Sequence, residues 1–329
     1  MRYLIFIVCL FFSCKGLDSS RSLIHNVGFA QGTSYSIKYM SLEDYHHQID
    51  SLLVVIDHSL SNYNINSLLS QLNEGDTSLL LDTHFVRVFK ASQHFSSLSD
   101  GLFDCTVAPL VEAWGFGPND GLEVDSLYIA NLLHKIGFQD LWLKGDSLLS
   151  NPHQKTMDFN ALAQGYTVDV IAELLDSNLV SDYLIELGGE LRAKGHNSRN
   201  KKWRVGIDKP SNEIDVNDRF QIILNLQNKS LATSGNYRNF YEKDGQIYSH
   251  TINPKTAYPV QHSLLSASVI ADDCMTADAY ATTFMVMGVE QTKDFLSKNS
   301  NLEAFLIFTN ADKSWENWST EGFKSLVIN

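Results

Sequence analysis

Asp278 and Thr282 stand four residues apart in Thr276-Ala277-Asp278-Ala279-Tyr280-Ala281-Thr282, so one helical turn brings a carboxylate and a hydroxyl onto one face. Oxygen ligands of this kind suit a hard divalent cation such as magnesium, which keeps water and phosphate oxygens in its remaining positions. Each residue also has a plainer use, because an acid in a first turn favours the helix dipole and a Thr bonds back to the carbonyl four residues earlier. A second segment, Asp158-Phe159-Asn160-Ala161-Leu162-Ala163-Gln164-Gly165-Tyr166, supplies what the pair lacks. Its small residues predict a turn from a strand ending near residue 160 into a helix, and such a turn leaves backbone groups free for a ligand. Asp158 in that position equally suits a helix cap.

Three further segments add polar and aromatic groups. Gly101-Leu102-Phe103-Asp104-Cys105, followed by Trp114-Gly115-Phe116-Gly117, sets an acid beside a wall suited to a planar ring. Glu186-Leu187-Gly188-Gly189-Glu190 ends a strand in two glycines, where a ligand or another backbone approaches closely. Ala232-Thr233-Ser234-Gly235-Asn236-Tyr237 and Tyr248-Ser249-His250-Thr251-Ile252-Asn253-Pro254 bring hydroxyls, amides and an imidazole into neighbouring strands and turns. A histidine, with an ordinary pKa near ~6.5, suits proton transfer at ambient pH, although a lone one is more often structural.

The elements that must position these groups alternate in type. Periodicity predicts a strand over 34–39 and helices over 42–57, 83–98 and 125–136, the last ended by Gly137. A further helix opens near Gln164 and runs to Leu175. Strands follow at 182–187, 203–208, 220–226, 246–252, 264–271 and 303–309, with a helix over 276–287 capped by Gly288. Helices and strands are interleaved without repeats, low-complexity tracts or long linkers, which predicts one mixed α/β body.

The ends and the charge bound the setting. Arg2 precedes an apolar run over 3–12, too short to span a bilayer and of signal-peptide length, which ends at Phe11-Phe12-Ser13-Cys14. A small residue directly before Cys14 resembles a bacterial lipobox, so residues 1–13 are expected to be removed, Cys14 to be lipidated, and residues 14–22 to act as a polar tether. A plain cleaved signal or a buried N-terminal strand are the alternatives. The formal net charge is −13, and loss of Arg2 with the leader makes it about one unit more negative. Such a surface repels nucleic acid and anionic membrane, so any phosphate must be met locally by a metal or by backbone amides. Of the cysteines, Cys105 and Cys274 remain; they lack a CxxC spacing and read as small buried hydrophobes, with a disulfide as the less favoured alternative.

In order along the chain, Gln31-Gly32-Thr33, Leu60-Ser61-Asn62-Tyr63 and the segments at 101–117, 158–169, 186–190, 233–237, 250–254 and 278–282 resemble the motifs of the ApbE family, the FAD:protein FMN transferases. The resemblance runs from about residue 28 to the C-terminus. It implies a single compact, T-fold-related domain of mixed α+β class over residues 23–329, with mixed sheets and flanking helices. It also implies magnesium-dependent transfer of FMN from FAD to a Ser or Thr hydroxyl of another protein, with release of AMP. The acceptors would be subunits of membrane electron-transport complexes, and the protein would be lipid-anchored to the bacterial cell membrane, facing the periplasm. Carried over by position, Asp278, Thr282 and the carbonyl of Ala161 are the metal ligands. Gln31, Tyr63, Leu102, Phe103, Asp104, Asp158, Gln164 and Ile252 line the FAD site, with Gly188, Gly189, Ser234 and Gly235 close by. His250 is the base that takes the acceptor proton.

The sequence departs from the family pattern at three positions: Gln31 replaces a common Met, Gln164 a common Lys, and Cys105 a common Pro. Gln164 lacks the charge a Lys offers a phosphate. Two other activities fit the same residues less fully: hydrolysis of FAD to FMN and AMP, and passive flavin binding by a lipoprotein. The latter leaves the paired metal and base constellations without a use.

Overall fold

The computed structural model describes residues 21–116, 126–139, 141–145, 147–210, 219–236, 240–243, 246–249 and 251–328. The expected leader, Cys14 and the tether to residue 20 lie outside the described residues, as does His250.

In chain order the strands are β1 (Ser22–Ala30), β2 (Thr33–Ser41), β3 (Trp142–Lys144), β4 (Leu148–Ser150), β5 (Tyr183–Leu187), β6 (Glu190–Lys194), β7 (Trp203–Asp208), β8 (Phe220–Leu226), β9 (Lys229–Gly235), β10 (Phe240–Lys243), β11 (Gln246–Ser249), β12 (Leu264–Ala271), β13 (Glu303–Thr309) and β14 (Trp315–Ser319). The helices are α1 (His46–Leu60), α2 (Leu68–Asn73), α3 (Thr83–Leu98), α4 (Ala108–Ala113), α5 (Ser126–Leu133), α6 (Ala163–Ser177), α7 (Cys274–Lys298) and α8 (Glu321–Lys324). This is the mixed α+β class that the interleaved pattern predicts.

Eight strands form one antiparallel sheet in the order β1-β2-β5-β6-β9-β12-β13-β14. Alternation divides its two faces. Leu191, Leu231, Ile270, Phe305 and Ile307 pack with Trp203, Val205 and Leu224 of the β7–β8 hairpin on one side. Ala232, Val269, Ala304 and Leu306 face α3 and α7 on the other, against Phe85, Phe89, Ala277, Ala281 and Phe284. Tyr35, Ile37, Tyr183 and Ile185 continue that helical face under α1 and α6. Each fully buried Leu, Ile, Val or Phe side chain in these layers contributes about 1.5–3 kcal/mol.

The predicted helix over 83–98 forms at those bounds, started by Asp82, whose carboxylate accepts the Phe85 N–H at 2.8 Å. Gly288, at φ +74°, breaks α7 where a helix end was expected, but the chain resumes as a second helix to Lys298. The first helix begins at His46 rather than at 42, because β2 continues to Ser41. The tether stops short of residue 22, since Ser22 opens β1 and Arg21 donates to Ser181 Oγ at 3.0 Å.

One expected strand is absent. Residues 155–158 form no strand, and side chains and a loop satisfy their backbone instead. Asn73 bonds both the N–H and the carbonyl of Met157, at 2.8 and 2.9 Å, and the Asp158 N–H donates to the Cys105 carbonyl at 2.7 Å. Cys105 and Cys274 are buried free thiols, in keeping with their reading as small hydrophobes.

Candidate active site

The N-terminal ends of α6 and α7 cross at Gly165. A Cβ there would lie 2.5 Å from the Cys274 carbonyl oxygen and 2.8 Å from Asp278 Cβ, so only glycine permits the approach. Across this crossing the helices cap each other. Asp278 of α7 accepts the Gly165 N–H at 3.0 Å, and Asp169 of α6 accepts the N–H groups of Cys274 and Met275 at 2.9 and 2.8 Å. Arg192 of β6 donates to Asp169 and balances its charge.

This geometry excludes both plain uses of the Asp278–Thr282 pair. Asp278 lies beyond the first turn of α7 and serves α6 instead. The back-bond to a carbonyl four residues earlier belongs to Thr283, which donates to Ala279 at 2.7 Å, while Thr282 Oγ1 meets Ser234 Oγ on β9 at 3.2 Å. The Gly165 N–H would run back to the Ala161 carbonyl in a continuing helix. Leu162, at φ −155°, breaks that path, and the N–H turns to Asp278. Among the described residues the Ala161 carbonyl therefore receives no backbone N–H. A carboxylate and a hydroxyl thus stand on one face of α7 beside the helix crossing, and four residues before Gly165 the Ala161 carbonyl carries no backbone N–H among the described residues.

These donors fit a hard cation. No three His, Cys, Asp or Glu side chains converge among the described residues, so a cation here would rest on mixed oxygen ligands, as magnesium prefers. Burial pushes the Asp278 carboxyl well above the usual carboxylate range, and the nearby charge of Glu190 adds to that rise. Glu190, itself pushed up to about 8 by burial, has an Oε2 without a hydrogen-bond partner among the described residues. A bound cation would offset both buried acids.

A cleft of about 270 Å³ opens beside α6, lined by Gln31, Asp57, Ser61, Asn62, Tyr63 and Gln164 among others. Gln31 occupies the β1–β2 turn at φ +50° and donates to Thr167 Oγ1 at 2.7 Å, which fixes the turn to α6. The tip of Gln164 lies against Gly188, where an added Cβ would meet it at 3.1 Å. Gly188 and Gly189, at φ +67° and +118°, form the exposed turn between β5 and β6. A larger, open groove of about 530 Å³ between α1 and α6 shares no residue with this cleft or with the crossing.

Asp104 and Asp158 form a separate wall, joined by the Asp158 N–H to Cys105 bond. Asp104 accepts from the Thr106 N–H and hydroxyl at 2.8 and 2.7 Å, yet burial still raises its carboxyl. Asp158 is half-buried and accepts the Asn160 N–H at 2.7 Å, so it shapes the turn before α6 without capping the helix. Burial raises its carboxyl too. Leu102 is half-buried on the same loop.

The structure therefore joins Asp278 to Gly165 and Thr282 to Ser234, with Gly235 next in β9 and Ala161 in the turn before α6, and it joins Gln31, Tyr63, Gln164 and Gly188 around the cleft. It does not bring the side chains of Phe103 and Ile252 to either place. Phe103 packs in the core beside Phe95, and Ile252 packs with Leu110 and Ala257. Their backbones are what they can offer a ligand.

The ApbE family model matches residues 31–306. The chain belongs to the ApbE family. Similar proteins include the FAD:protein FMN transferases of Vibrio cholerae, 33% identical over 95% of both chains, and of Haemophilus influenzae, 31% identical over 97% of this chain and 96% of that one. Among solved structures, the flavin transferase ApbE from Vibrio cholerae superposes with a TM-score of 0.82 at 32% identity, covering 93% of this chain and 99% of that one. The apo flavinyl transferase ApbE from Pseudomonas stutzeri gives 0.83 at 30% identity, covering 93% and 97%.

Several residues of this ApbE site lay beyond sequence reasoning. Asn62 and Asn160, flanking the cleft, sit inside quoted motifs but carry no charge to single them out. Glu190 was legible only as the end of a glycine turn. Its burial was the missing signal, and alternation hides it, because apolar Leu191 and Ala193 make the Glu190 face of β6 look solvated.

Proposed function

We propose that the protein is an enzyme, a FAD:protein FMN transferase, which moves FMN from FAD to a Ser or Thr hydroxyl of an acceptor protein and releases AMP. The observation that carries this is that Asp278 and Thr282 share one face of α7, tied to α6 through Gly165 and to β9 through Ser234, while the Ala161 carbonyl before α6 carries no backbone N–H among the described residues, beside a polar cleft. Asp278, Thr282 and Ala161 would hold magnesium, which supplies charge neutralisation to the pyrophosphate when bound. Gln31, Tyr63 and Gln164 orient the dinucleotide in the cleft, and Asp104 and Asp158 offer hydrogen-bonding oxygens on the adjoining wall.

In the transfer, the acceptor hydroxyl oxygen bonds to the FMN phosphorus while the bond from that phosphorus to the AMP oxygen breaks. His250 takes the hydroxyl proton, and AMP leaves with the electron pair of the broken bond. Cys14 would carry the lipid that holds the enzyme on the bacterial membrane, facing the periplasm. The acceptors there would be electron-transport subunits bearing an Asp-Gly-x-Ser/Thr-Gly-Ala-Thr/Ser type of motif.

The test is intact mass spectrometry of such an acceptor after incubation with the full chain, FAD and magnesium. A metal-dependent gain of one FMN group is expected. Free FMN and AMP with an unmodified acceptor would make the enzyme a FAD pyrophosphatase, and intact bound FAD would make it a carrier.

A further inference from the structure

Glu190 is a buried acid to which the transfer chemistry assigns no task. In β6, Leu191 and Ala193 enter the layer beneath the β7–β8 hairpin, so alternation turns Glu190 and Arg192 towards α6 and α7. The pairing of Leu191 with Leu231 sets Glu190 next to Ala232, on the sheet face from which Ser234 reaches Thr282. Glu190 is 6% exposed, and its Oε2 has no hydrogen-bond partner among the described residues. Arg192, its neighbour on that face, is engaged by Asp169. Asp278, on the far side, is 5% exposed and receives one N–H, from Gly165. Two buried carboxylates, one from the sheet and one from α7, lie near enough to repel each other, while the adjacent arginine serves a third. Buried acids in that arrangement call for a positive charge from outside the chain.

We propose that Glu190 is a further residue of the divalent-cation site, completing from the sheet side the set formed by Asp278, Thr282 and the Ala161 carbonyl. This rests on the cation site of the proposed transferase and adds an order of events to it. Two carboxylates match the charge of a divalent ion without help from a phosphate. The cation therefore loads before FAD, and FAD meets a site that already carries its metal.

The test is titration of the FAD-free full chain with Mn2+, following the free ion by electron paramagnetic resonance. The wild type is expected to take up one Mn2+, and Glu190→Gln to weaken that uptake by about 10–100-fold, the range for loss of a supporting carboxylate. Equal uptake by wild type and Glu190→Gln, with loss in Asp278→Asn, would overturn the role of Glu190 and leave the cation site standing. No uptake by the wild type without FAD would overturn the loading order and with it this proposal, while metal-dependent FMN transfer would separately uphold the transferase. Melting curves in EDTA and in magnesium guard against a folding defect. Glu190→Gln should melt at or above the wild type in EDTA and lose the rise that magnesium gives the wild type. A variant that melts lower in both, or does not fold, would make Glu190 a structural residue and overturn the proposal.

Discussion

Asp278 of α7 accepts the N–H of Gly165, the third residue of α6, at 3.0 Å. That one bond orients the proposed metal carboxylate, caps the other helix and diverts the N–H that would otherwise occupy the Ala161 carbonyl. Together with Asp169, which caps α7 from α6, it makes the crossing a reciprocal lock whose two halves are 113 and 105 residues apart in sequence.

Gly165→Ala should unlock it. The new methyl would meet the Cys274 carbonyl and the Asp278 Cβ well inside contact distance, and both belong to a helix that cannot give way locally. Urea denaturation should show a loss of about 1–3 kcal/mol, the cost of overpacking a rigid interior, with transferase activity falling in parallel. A variant within about 0.5 kcal/mol of wild type would mean that the helices are free to separate.

Asp169→Asn tests the other half. It leaves Arg192, about a quarter exposed, without its anionic partner and weakens two caps of α7. A destabilisation of about 3 kcal/mol is expected, at the lower end for a broken buried pair because water still reaches the guanidinium. Equal stability of Asp169→Asn and wild type would show that Arg192 finds another acceptor.

Elements with two-sided burial or a clear cap were legible from residues alone, as α3 shows with its Asp82 start and apolar period. Among the strands that were not, three show the physical reason plainly. In β1 the large apolar residues Leu23, Val27 and Phe29 face solvent, while the buried position is Asn26, so its pattern is inverted. In β6 the inward residues are Glu190 and Arg192, which imitate a solvated face. In β9 small and hydroxylated residues fill the space under α7 and carry little hydrophobic signal. At the site, the spacing of Asp278 and Thr282 was readable because both lie on one helix. Their partners Gly165 and Ser234 were not, since a helix crossing and a sheet register set those contacts.

His250→Ala should lower kcat for FMN transfer by about 10²–10⁴-fold, the usual contribution of a positioned base, while the Kd for FAD stays near wild type. Fluorescence titration of FAD separates the two effects. A large loss of FAD affinity would make His250 a binding residue.

The pH dependence of stability should carry a contribution from Asp104. Burial raises its carboxyl above the unfolded value despite two bonds from Thr106, so the folded state holds the proton to higher pH than the unfolded chain does. Its favourable share is then complete below the unfolded pKa of about 3.9 and is lost as pH rises through the folded value, at up to about 1.4 kcal/mol per pH unit. Asp104→Asn keeps an acceptor oxygen for both Thr106 bonds and removes the titration. Urea midpoints should therefore coincide for the two proteins near pH 3 and diverge towards pH 7, with the Asn variant more stable. The same comparison cancels every other titrating group, because both proteins share them. An Asn variant less stable than wild type at pH 7 would mean that the Thr106 bonds hold the ionised form strongly enough to outweigh its burial.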